Sequence, residues 1–70
     1  MFATVEGQQV KVGDYVSFKS DYEQTGKIVA IKSSVMGKPV LVLENPNGFG
    51  GEYLRYATRT EELASDCWLD

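Results

Sequence analysis

The chain has no histidine, one cysteine, two prolines and no apolar run long enough to cross a bilayer. Each shortage excludes something. Without histidine there is no Ser-His-Asp or Cys-His catalytic set, and the commonest metal ligand is missing. One cysteine and no histidine do not make a structural zinc site. Cys67 has no internal disulfide partner, although small secreted domains usually depend on disulfides. A reducing, cytoplasmic setting is therefore expected, with Cys67 read as a small buried hydrophobe. Residues 1–6 hold neither the basic segment nor the apolar stretch of a signal peptide. The longest apolar stretches, 28–31 and 39–43, exclude a membrane-spanning helix.

Phosphate-binding fingerprints are also missing. Asn47-Gly48-Phe49-Gly50-Gly51 is glycine-rich but lacks the Gly-Lys-Ser/Thr ending of a phosphate loop. It reads as a flexible hairpin loop. Asp21 with Glu23, and Glu61 with Glu62, are carboxylate pairs outside any apolar run that would raise a pKa for acid catalysis. No enzymatic activity, catalytic residue, cofactor or metal is expected.

Basic charge is scarce. Seven basic residues face ten acidic ones, for a net charge of −3. Residues 1–40 carry five lysines against four acids, whereas residues 41–70 carry two arginines against six acids. Domains that bind duplexes are normally basic, because phosphate neutralisation dominates their affinity. A local lysine stripe in the first forty residues stays open.

What is present is a regular alternation of turns and β-forming runs. Seventy residues, 43% of them apolar, make a single domain. Such a chain buries about 60% of its unfolded surface, and its core contributes roughly 3–5 kcal/mol. Glu6-Gly7, Gly13-Asp14, Thr25-Gly26, Gly37-Lys38-Pro39 and Asn45-Pro46-Asn47-Gly48 read as turns or bends. Between them Tyr15-Val16-Ser17-Phe18 alternates, with Val16 and Phe18 on the core face. Ile28 and Ile31 are three apart, so a strand that buries both needs a bulge between them. Val40-Leu41-Val42-Leu43 is apolar on both faces and suits a central strand. Residues 53–57 read as the last strand, and residues 2–5 as a first strand pairing with it. Thr58-Arg59-Thr60-Glu61 has the spacing of a capping box, and Thr60-Glu61-Glu62 is another acceptable helix start. A short helix is predicted from about 60 to 67, plugging one barrel end. The expectation is a mainly β, all-β domain over residues 1–70, with strands within 1–59.

Gly13-Asp14-x-Val16-x-Phe18, followed by Gly26-x-Ile28-x-x-Ile31, resembles the opening of SH3-like barrels of the KOW type. The resemblance covers about twenty residues and implies a five-stranded SH3-like barrel with one short C-terminal helix. The superfold serves RNA, ribonucleoprotein, methylated-tail and peptide binding, so fold alone does not choose among them. In place of glycines and clustered basic residues, the loop 19–25 carries Asp21, Tyr22 and Glu23. The compact length is also similar to that of small accessory proteins of bacteria and their phages.

The candidate site is aromatic. Tyr15, Tyr22, Phe49, Tyr53 and Arg55 lie on outward strand positions or loop tips and form one patch if those loops approach each other. Tyrosine and arginine carry much of the energy of protein interfaces. The favoured expectation is a monomeric, non-enzymatic module that binds a partner protein through this patch. The alternative is a KOW-like RNA, nucleic-acid or ribonucleoprotein contact using Lys11, Lys19, Lys27, Lys32 and Arg55. A third reading is an aromatic cage of Tyr15, Tyr22, Phe49 and Tyr53 around a methylated cation, beside Glu52 or Asp21. The bland reading is that some rings simply cover a thin barrel.

Overall fold

The computed structural model describes residues 3–69. They form a mainly β structure of two antiparallel sheets. Strands β1 (Ala3–Val5) and β2 (Gln8–Val10) make a hairpin. Its two-residue loop is Glu6-Gly7, both with positive φ (52° and 78°). Such a turn matches the right-handed twist of the flanking strands. Ala3, Val5 and Val10 are buried in the core. The first strand thus pairs with its immediate successor rather than with the last strand. Position 2, the expected start of that strand, lies outside the described residues.

The larger sheet is a meander of β3 (Tyr15–Ser20), β4 (Tyr22–Ser33), β5 (Pro39–Glu44) and β6 (Arg59–Leu63). Val16 and Phe18 face the core, as the alternation requires. The β4–β5 register shifts between Ile28 and Ala30. That bulge returns Ile31 to the inner face occupied by Ile28, where Ile31 packs against the core. In β5, Leu41 and Leu43 are fully buried in the core, while Val42 is buried on the opposite face. This strand is central, with β4 and β6 on either side.

The end of the chain departs from the expected helix. Residues 59–63 are a strand, followed by a 3-10 turn at Ala64–Asp66. A helix of about two turns is marginal by itself. The free edge of β5 offers a full row of unpaired backbone groups, and β6 satisfies it. Thr60 Oγ1 donates to Glu62 Oε2 at 2.9 Å, a bond between side chains two apart on one face of a strand. The expected last strand at 53–57 is likewise replaced. The helix α1 (Gly51–Leu54) is a single turn. Arg55 and Tyr56 follow it in the left-handed region, with φ of 50° and 67°. Extended pairing cannot pass through two such residues.

The ladder does not close into a five-stranded barrel. One antiparallel bridge joins the end of the chain to β3, on the edge that β4 leaves free. Ser17 N donates to Trp68 O at 2.8 Å, and Trp68 N donates to Ser17 O at 2.9 Å. Among the described residues no helix is long and apolar enough to cross a membrane.

Candidate functional site

The segment joining β5 to β6 starts with a turn that its own asparagine shapes. Asn45 Oδ1 accepts from Asn47 N at 3.0 Å, and Gly48 N donates to Asn45 O at 2.9 Å. Phe49 then enters the core. It is fully buried and meets Phe18 edge to face, with ring centroids 5.3 Å apart. Gly26 makes room for it. A methyl group there would stand 3.0 Å from Leu43 Cβ and 3.1 Å from Phe49 Cζ. Gly26 therefore serves ring packing in the middle of β4, not a bend at the start of a strand. Phe49 is not a surface residue, which removes it from the binding patch and from an aromatic cage.

Two polar side chains of the β3–β4 hairpin fasten the rest of the segment. Gln24 is buried and reads the backbone of Gly50 in both directions. Gly50 N donates to Gln24 Oε1 at 2.8 Å, and Gln24 Nε2 donates to Gly50 O at 3.1 Å and to Ser20 O at 2.9 Å. Asp21 lies at the hairpin turn with φ of 66°. Its carboxylate accepts from Glu52 N at 2.6 Å and from Tyr53 N at 3.4 Å, at the start of α1. The loop also bonds to itself. Phe49 N donates to Ala57 O at 2.8 Å, and Tyr56 N donates to Phe49 O at 2.7 Å.

On this fastened loop stand side chains that touch little. Tyr53 is 82% exposed and Tyr56 81%. Tyr22 is 54% exposed, and its hydroxyl lies over Gly50, where a methyl group would fall 1.6 Å from Oη. Arg55 is exposed, with Nε donating to Glu52 O at 3.1 Å. Tyr22, Tyr53, Arg55 and Tyr56 thus share one end of the molecule. The patch as expected from sequence omitted Tyr56. Tyr56 is exposed beside Tyr53, just after the helical turn and in the left-handed region.

Tyr15 belongs elsewhere. It pairs with Lys27, five residues along β4 from Tyr22, or roughly 17 Å. It is on the outer face of the sheet, whereas Tyr22 follows the parity of Gln24, Gly26 and Ile28. The five expected residues therefore divide into one buried ring, three neighbours and one distant tyrosine.

The lysines do not gather. Lys11 pairs with Asp14 at 3.5 Å and Lys32 with Glu61 at 2.8 Å. Lys19 and Lys27 lie on the outer face of β3 and β4, and Arg55 is at the loop. Cys67 is buried, donates to Leu63 O at 3.4 Å, and has its thiol pushed up to about 12 by burial, then by the charges of Glu62 and Asp66. Among the described residues no group of three or more ligating side chains could hold a metal. No family model, curated protein or solved structure matches the chain.

Proposed function

We propose that this protein is a small non-enzymatic, cytoplasmic binding module whose loop 49–57 docks on a partner protein. The observation that carries this reading is the contrast within the loop. Phe49 and Gln24 fix it from beneath, while Tyr53 and Tyr56 stand about four-fifths exposed above. A fixed loop has already lost most of the entropy that binding would otherwise cost. Tyrosine presents large contact area on few rotatable bonds. Two adjacent non-glycine residues with positive φ, Arg55 and Tyr56, cost conformational energy that the fold tolerates at this point. We also read the architecture as SH3-like. The support is the meander β3-β4-β5-β6, then a 3-10 turn, then a return to β3 through Trp68.

The test is quantitative capture of a protein partner from nuclease-treated lysate by the tagged chain. Tyr53→Ala with Tyr56→Ala should cut capture by about tenfold or more while thermal unfolding stays unchanged. Tyr56→Gly should also lose capture but unfold at higher temperature, because glycine adopts the left-handed conformation freely. Capture that survives these changes sinks the reading. Capture seen only in a parallel untreated lysate favours the KOW-like nucleic-acid contact through Lys11, Lys19, Lys27, Lys32 and Arg55.

A further inference from the structure

A cleft of about 400 Å³ opens on the outer face of the four-stranded sheet. It is lined by Tyr15, Thr25, Gly26, Lys27, Glu44, Asn45 and Pro46. Its volume is within the range of small-ligand sites. The strand register builds it. Tyr15, Lys27, Glu44 and Arg59 are successive cross-strand partners, one from each strand, so their side chains form a single row. Tyr15 on β3 and Pro46 just past β5 flank β4 on opposite sides. Two interstrand spacings, roughly 10 Å, separate those walls, enough for one flat ring between them.

The polar groups of the cleft are unequal. Two of its acceptors are engaged: Glu44 Oε2 receives Arg59 Nη2 at 2.9 Å, and Asn45 Oδ1 receives Asn47 N. Its donors are open. Among the described residues no ion pair or hydrogen bond occupies Lys27 Nζ, Tyr15 Oη or Asn45 Nδ2. With Glu44 matched by Arg59, Lys27 is the uncompensated charge. A ligand that fits must supply acceptors, one negative charge and a flat apolar body. We infer that this cleft binds a small organic anion, a carboxylate borne on a ring, with the carboxylate on Lys27 and the ring between Tyr15 and Pro46.

The test is titration of the ¹⁵N-labelled full chain with benzoate at constant ionic strength, followed by amide NMR, with benzamide as the neutral isostere. Saturable shifts should concentrate at Tyr15, Thr25, Lys27, Glu44 and Asn45. Benzamide should bind about tenfold more weakly, and Lys27→Met should weaken benzoate by a similar factor. Tyr15→Leu, which keeps an apolar wall but removes a ring and a donor, should weaken it less. Glu44→Gln gives the sharpest sign. It removes a negative charge and frees Arg59, so benzoate should bind several-fold tighter. Weaker or unchanged binding in Glu44→Gln, equal binding of benzamide, or no saturable shift at tens of millimolar would each overturn the inference.

Discussion

Two connections leave β5, and both expose large side chains, but they are held differently. The β4–β5 turn presents Val35, fully exposed, and Met36. Among the described residues its hydrogen bonds are all within the turn itself. Ser34 Oγ accepts from Met36 N at 3.2 Å and from Lys38 N at 3.1 Å, and Gly37 N donates to Ser34 O at 2.9 Å. The β5–β6 loop presents Tyr53 and Tyr56 but is anchored by its own Phe49 ring in the core and by a buried amide and a carboxylate of the β3–β4 hairpin. Exposure is the same in both, while support is not. Single exposed apolar residues are ordinary on protein surfaces. A fixed support under exposed rings is what the β5–β6 loop has and the turn tip lacks.

Removing the anchor should have the largest effect. Phe49→Ala should destabilise the fold by about 3–5 kcal/mol, read by chemical denaturation, through the lost ring and the cavity beside Phe18. Next is the space the ring occupies. Gly26→Ala pushes a methyl group against Phe49 and Leu43 and should cost about 1–3 kcal/mol. A loss below about 0.5 kcal/mol would mean that the ring is not seated as described. An alkaline titration probes the core that both connections share. Burial pushes the Cys67 thiol in the folded state up to about 12, against 9.0 for the free side chain. Its contribution is therefore complete below pH 9 and is lost between about 9 and 12, because the unfolded thiol ionises first. Cys67→Ala should flatten the dependence of stability on pH in that window. The smallest effect belongs to the turn tip. Val35→Ser with Met36→Ser should change stability by less than about 0.5 kcal/mol and leave partner capture intact.

Much of the larger sheet is legible in the sequence because its signals are local. Alternation marks β3, the Ile28–Ile31 spacing demands the bulge, and apolar residues on both faces make β5 central. The 53–63 stretch is not legible, because distant groups decide it. Thr58-Arg59-Thr60-Glu61 satisfies the rule for a helix start, yet the open edge of β5 recruits it as a strand. Residues 53–57 alternate like a strand, yet Asp21 captures the amides of Glu52 and Tyr53 and starts a helical turn instead. The candidate site divides in the same way. Phe49 sits among glycines like a loop-tip ring, but the missing side chain at Gly26, twenty-three positions earlier, admits it to the core. Glycine in a strand can mark close packing, and that signal was available to be read as a pocket for a ring.

The β5–β6 loop is a fixed platform, and hydrogen exchange of its amides tests this directly. The amides of Gly50 and Tyr56, bonded to Gln24 and Phe49, should exchange about as slowly as those of β4. The Met36 amide at the other connection should exchange far faster, and Gln24→Leu should release Gly50 selectively. Gly50 and Tyr56 exchanging as fast as Met36 would contradict this, because the tyrosines would then stand on a loop no better supported than a turn tip.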